Sequence, residues 1–220
     1  MSSILAKSFK RFRIFFCGAV FLFVIFDAGV SRGEQGPVIL AFGDSLTAGF
    51  GVREEESYPS VLQDIIEREG FPHKVINAGV SGDTTAGGVR RVHWALKHQP
   101  EIVILELGVN DGLRGLSLSE MHSNLEKIIQ TCREGGAKVL LAGMKVPPNY
   151  GEDYSREFEQ VFERLADQYT LPFMPFFLKG VAAKREYTMD DGVHPLGPGY
   201  KIVGETVWKY LKPLLKNPSR

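Results

Sequence analysis

The stretch Val38-Ile39-Leu40-Ala41-Phe42-Gly43-Asp44-Ser45-Leu46-Thr47-Ala48-Gly49 reads as a short buried strand that stops abruptly at a turn. An apolar run of this length, closed by Gly-Asp-Ser and then by small residues, is a strand delivering a serine to a loop. At the carboxyl end of such a strand Ser45 stands where open α/β sheets place their ligands, and its hydroxyl becomes a nucleophile if a base reaches it. The plainer reading is that Ser45 caps the following helix, as Ser and Asp often do. The other segments of the chain bear on that choice.

A base for Ser45 is sought first among the five histidines. His73 precedes a strand, His93 and His98 lie in a stretch with helical spacing, and His122 sits on a polar helix face. His194 differs, because it lies in Met189-Asp190-Asp191-Gly192-Val193-His194-Pro195 with a carboxylate three residues before it and a glycine between. A loop carboxylate at that spacing can curl back to accept a hydrogen bond from Nδ1, which fixes the tautomer and leaves Nε2 free to take a proton. Asp191 gives the shorter return, and Asp190 is its nearest rival. A metal reading of Asp191 and His194 lacks a third and fourth ligand at usable spacing, so no metal is expected.

Strand-like apolar runs recur at residues 37–42, 74–77, 102–107, 138–142 and 171–174. Helical spacing fills the intervals at about 58–69, 85–97, 119–133 and 154–169, with a last helix at 199–215. In the first of these helices Val61, Leu62, Ile65 and Ile66 mark one buried face. Repeated βα units imply an α/β fold with a five-stranded parallel sheet covered by helices on both faces, its ligand site at the strands' carboxyl ends. The segments after the strands then share one rim: Gly43-Asp44-Ser45, the loop holding Gly82, the loop Gly108-Val109-Asn110-Asp111, and the Asp191 to His194 loop. Gly82 can offer a backbone N–H and Asn110 a side-chain amide to an oxygen that becomes negative, as ester cleavage by a serine requires. Taken singly, they read as a turn glycine and a capping asparagine. Asp83, Thr84 and Asp111 read as loop braces. Glu106, inside an apolar strand, is either a buried carboxylate with partners near the site or a residue facing a solvated edge.

At the N-terminus Lys7, Lys10, Arg11 and Arg13 precede the apolar run 14–26, the pattern of a secretory signal. The expected organisation is a signal peptide over 1–33, with the exact cleavage bond open, and one domain over 34–220. The protein is then periplasmic or secreted; an uncleaved membrane anchor is the alternative. Phe15 and Phe16 before Cys17 argue against lipid attachment there. Of 26 basic and 26 acidic side chains in the 220-residue chain, 21 and 25 lie beyond residue 33, a net charge of −4. A mildly acidic domain without a basic patch excludes bulk attraction for nucleic acid. Cys132 alone would remain and reads as an inert helical residue.

Gly43-Asp44-Ser45-Leu46, Gly82, Gly108-x-Asn110-Asp111 and Asp191-x-x-His194 resemble the four ordered sequence blocks of the SGNH (GDSL) hydrolases. The resemblance runs from about Val38 to the C-terminal helix. Gly108 to Gly115, Asn149-Tyr150-Gly151 and Pro175-Phe176-Phe177 further resemble the small exported bacterial enzymes described as acyl-CoA thioesterase, lysophospholipase and arylesterase. The resemblance implies a three-layer α/β/α, flavodoxin-like fold and a cofactor-free serine acyl hydrolase for small-molecule carboxylic esters or thioesters. In it Ser45 is the nucleophile, Asp191 and His194 complete the triad, and Gly82 and Asn110 join the Ser45 amide as oxyanion-hole donors. The Gly-x-Ser-x-Gly elbow of α/β-hydrolases is absent around Ser45. Leu113, Leu116, Val146, Pro147 and Tyr150 are apolar loop residues that favour a lipid-like or aromatic acyl group. A carbohydrate O-acetyl esterase and a non-catalytic exported binding module are the alternatives. Acyl chain length and oligomeric state are not legible in the sequence.

Overall fold

Five strands alternate with helices along residues 36–215, the part of the chain that the computed structural model describes. The signal-peptide reading of residues 1–33 and the reading of Cys17 lie outside the described residues. The elements are β1 (Val38–Gly43), α1 (Ser45–Ala48), α2 (Tyr58–Arg68), β2 (Lys74–Gly79), α3 (Thr85–Ala95), β3 (Ile102–Glu106), α4 (Val109–Leu113), α5 (Leu118–Glu134), β4 (Lys138–Ala142), α6 (Glu152–Tyr169), β5 (Phe173–Met174) and α7 (Gly197–Leu211).

All strand pairs are parallel, in the order β2-β1-β3-β4-β5. Because the chain steps one way from β1 to β2 and the other way through β3, β4 and β5, right-handed crossovers put α2 on one face and α3, α5 and α6 on the other. The packing agrees: α2 lies against α7, α3 against α5, and α5 against α6. This is the α/β architecture expected, with helices on both faces of a five-stranded parallel sheet. The order reverses between β1 and β3, and the crevice outside the carboxyl ends of those two strands is where doubly wound sheets bind ligands.

The core follows from the apolar runs. Ile39 to Phe42, Ile102 to Leu105 and Leu140 to Ala142 are buried, while edge strand β2 is only partly covered. Helix faces supply Leu62, Ile65 and Ile66, then Leu125 and Ile129, Phe158 and Phe162, and Val203 and Val207. Val61 is only half-buried and packs against Gly204 of α7. Cys132 is buried in α5, where burial pushes its thiol up to about 12, outside the range of useful reactivity.

Most element ends lie within one or two residues of the sequence reading, and two of the differences fall at a proline. Strand β5 is two residues rather than four, because Pro172 has no N–H and contributes only its carbonyl, which accepts from the Leu141 amide at 3.0 Å. Helix α7 stops at Leu211 and tightens into a 3₁₀ turn over Lys212–Leu214, since Pro213 cannot continue the α-helical hydrogen bonds.

Thr84 N-caps α3, its side chain accepting from the Gly87 amide at 3.3 Å. Thr84→Ala is expected to cost about 1 kcal/mol of stability in a urea titration. An unchanged midpoint would show that the cap contributes nothing.

Candidate active site

Strand β1 ends at Gly43, and Asp44 then caps the single turn α1 by accepting from the Leu46 amide at 3.0 Å. Ser45 is therefore the first residue of a capped helical turn, and it is 7% exposed. The capping reading of Ser45 does not hold: the cap is Asp44, and the Ser45 hydroxyl faces a base. The Oγ of Ser45 lies 2.9 Å from Nε2 of His194, and Nδ1 of His194 lies 2.6 Å from Oδ2 of Asp191.

The histidine loop is built for that contact. Gly192, in the left-handed region at φ 71°, lets the chain reverse between Met189 and His194, whose backbones pair at 2.8 Å. The reversal aims Oδ1 of Asp191 at the amides of Val193 and His194, both at 2.9 Å, and leaves Oδ2 for the imidazole. Partial burial pushes the Asp191 carboxyl up, but the hydrogen bonds from the His194 ring and the two amides outweigh it and hold the group below its ordinary range. Asp190, the rival carboxylate, is exposed.

Asn110 is the second residue of α4, just beyond β3, and its Nδ2 donates to Oδ2 of Asp44 at 3.1 Å. The amide thus reaches the nucleophile turn from the neighbouring strand, with its second N–H still available. Gly82 sits in the loop after β2 with left-handed backbone, φ 77°, and its carbonyl accepts from Nη2 of Arg114 at 2.9 Å. The loops after β2 and β3 are tied by Asp111, which accepts from the Thr85 amide at 2.9 Å and the Thr85 hydroxyl at 2.6 Å.

Two residues at this rim, Arg91 and Phe50, have no place in the sequence reading, and a third, Glu106, has two alternatives there. Arg91 of α3 donates to the Gly43 and Ala78 carbonyls and to Asp83, each at 2.7 Å, and lies 3.9 Å above the Phe42 ring. It clamps the carboxyl ends of β1 and β2 together. Phe50, half-exposed, places its ring 4.8 Å from that of His194. Glu106 is fully buried, which rules out the solvated-edge alternative: β3 is an inner strand, and its register sets Glu106 beside Gly43. Oε2 of Glu106 accepts from the Thr47 hydroxyl at 2.8 Å and from the Asp44 amide at 3.4 Å. Burial and the neighbouring Asp44 carboxyl push Glu106 well above the usual carboxylate range. Burial also pushes Asp44 up to about 6, against the pull of the Leu46 amide and Asn110.

Of the apolar loop residues, Leu116 and Tyr150 are exposed, and the Tyr150 hydroxyl donates to the Leu113 carbonyl at 2.8 Å. Val146 is instead buried, packed toward Gly112 of α4, so it belongs to the core rather than to an open substrate surface. Among the described residues no group of three His, Cys, Asp or Glu side chains is arranged to hold a metal ion. Nor is any described helix long and apolar enough to cross a membrane.

Comparison with known proteins shows what the chain as a whole is similar to. The GDSL-like Lipase/Acylhydrolase family model matches residues 41–202. The chain is 42% identical over 187 residues to an arylesterase of Vibrio mimicus, covering 84% of this chain and 92% of that protein. It is 34% identical over 189 residues to the thioesterase 1/protease 1/lysophospholipase L1 of Escherichia coli K12, with 86% and 89% covered. A crystal structure of TesA superposes with a TM-score of 0.79 at 40% identity, covering 81% of this chain and 99% of that one.

Proposed function

The chain belongs to the GDSL-like lipase/acylhydrolase family and is an ester hydrolase, and from this premise we propose that Ser45 is its nucleophile, with His194 as base and Asp191 as the group that orients it. The observation that carries the reading is the unbroken run of hydrogen bonds from Ser45 Oγ through His194 to Asp191. Ser45 Oγ attacks the acyl carbon as Nε2 of His194 takes its proton, and the imidazolium is stabilised by Asp191. The carbonyl oxygen, now negative, is received by the amides of Ser45 and Gly82 and by the free N–H of Asn110. His194 returns the proton to the departing alkoxide or thiolate, leaving an acyl-serine. Water, deprotonated by the same imidazole, then attacks that ester and releases the acid.

The substrate class we propose is an ester or thioester of an apolar acyl group larger than acetyl. Phe50 against His194, with exposed Val80, Leu116 and Tyr150 in loops on the strands' carboxyl side, gives the rim an apolar character suited to it. A series of p-nitrophenyl esters of increasing acyl length, run beside a lysophospholipid and an acyl-CoA, tests this. We expect kcat/KM to rise from acetyl to longer chains. A maximum at acetyl would favour the carbohydrate deacetylase reading instead.

We also propose that residues 1–33 are a signal peptide and 34–220 the exported enzyme, on the strength of the basic-then-apolar pattern at 7–26. Expressed with its own leader in a bacterium, the protein should be recovered outside the cytoplasm, trimmed between about residues 28 and 34 by mass spectrometry. An intact N-terminus found only in membranes would favour an anchor.

A further inference from the structure

Beneath the nucleophile turn lies a pair of carboxyl groups that the acyl-transfer steps do not use. Asp44 and Glu106 are both fully buried, an arrangement that costs several kcal/mol if both are charged and unpaired. Their hydrogen bonds differ in kind. Each oxygen of Asp44 has its own N–H donor, Leu46 on Oδ1 and Asn110 on Oδ2, which is the pattern of an ionised carboxylate. Glu106 has donors only on Oε2, while Oε1 is buried with no partner. One proton held between the two therefore belongs to Glu106. The other titratable groups facing the pair are His194, across from Asp44, and the Tyr58 and Tyr200 phenols, which burial keeps neutral.

We propose that Glu106 is a positioning residue for ester hydrolysis: from inside β3 it holds, through the Thr47 hydroxyl and the Asp44 amide, the turn that presents Ser45 and the carboxylate on which the Asn110 amide hangs. The proposal rests on the acyl-transfer reading of Ser45 and Asn110 above. Glu106 bonds to the residue before Ser45 and to the residue two beyond it, so the turn is fixed on both sides of the nucleophile. Asp44 in turn fixes one N–H of Asn110, which sets the direction of the other. A neutral Glu106 performs this bracing without placing a second negative charge under a site where an oxyanion forms. Nothing in the role requires a charge, so an isosteric amide should serve.

The test compares Glu106→Gln, Glu106→Leu and Thr47→Val, each with active sites counted by stoichiometric fluorophosphonate labelling so that kcat refers to competent molecules. Glu106→Leu fills the space without hydrogen bonds, and Thr47→Val breaks the same brace from the other side. We expect both to lower kcat per labelled site by up to about 100-fold, the cost of a displacement near 1 Å, with KM little changed. Combined, they should do little more than either alone, because they cut one connection. Glu106→Gln should keep kcat close to that of the parent. Undiminished kcat per site in both Glu106→Leu and Thr47→Val would overturn the proposal by leaving Glu106 a purely structural residue. Loss of kcat in Glu106→Gln equal to that in Glu106→Leu would overturn the neutral brace. A Ser45→Ala protein that still hydrolyses esters marks the separate failure of the acyl-transfer reading.

Discussion

Ser45→Ala and His194→Ala are each expected to lower kcat by about 10⁶-fold, roughly 8 kcal/mol of transition-state stabilisation, because a nucleophile and its base act as a unit. Ser45 Oγ has His194 as its hydrogen-bond partner, so removing it leaves the capped turn, held by Asp44 and Gly49, in place. Both variants should melt near the parent. Asp191→Ala should cost less, about 10⁴-fold, since the imidazole survives but loses the group that holds its tautomer. The double variant Ser45→Ala/His194→Ala should be no slower than either single one. Measured turnover in purified Ser45→Ala above a trace would show that another group attacks the ester.

Asn110→Ala is expected to lower kcat by about 10² to 10³-fold, roughly 2.7 to 4 kcal/mol, with KM little changed, as befits a donor that engages the oxygen only once it is negative. The structure adds a second consequence. Nδ2 of Asn110 also donates to buried Asp44, so its loss strips a partner from a carboxylate and should lower stability by about 1 to 3 kcal/mol. That cost should depend on pH. Burial first, partly opposed by Leu46 and Asn110, raises Asp44 from 3.8 to about 6 in the folded protein. A group raised in this way favours the folded state below its unfolded pKa and loses that contribution as pH rises through the folded value. Removing Asn110 raises Asp44 further, so the stability gap between parent and variant should be small near pH 4 and widen as pH passes about 6. Near-normal kcat in well-folded Asn110→Ala would take Asn110 out of the oxyanion hole and leave its bond to Asp44 as its role.

What the sequence makes legible is what is local in sequence or periodic. Asp191 and His194 are three residues apart with a glycine between, so their contact can be read from spacing alone, as can the choice of Asp191 over its neighbour. The parallel sheet follows from repeated βα units, and the shared rim follows from the sheet. Contacts fixed by register are a different matter. Asn110 meets Asp44 across 66 positions and Thr47 meets Glu106 across 59, and both depend on β1 pairing with β3 so that Gly43 stands opposite Glu106. A one-residue slip would aim Glu106 at the other face of the sheet, which is why its role stays undecided before the register is known. Arg91 and Phe50 carry no local signal: their contacts exist only once α3 is laid over β1 and β2 and the His194 loop arrives beside Phe50. Val146 shows the reverse error, since an apolar residue in a loop suits a substrate wall and a core equally well.

If Ser45 is the residue that becomes acylated, mass spectrometry of the protein after treatment with a fluorophosphonate serine probe will find the label there. One adduct per chain is expected, located on Ser45, with hydrolysis lost in proportion to labelling, and no adduct in Ser45→Ala. An enzyme fully inactivated by an adduct on another residue, or left unlabelled at Ser45 while still hydrolysing esters, would contradict this role of Ser45.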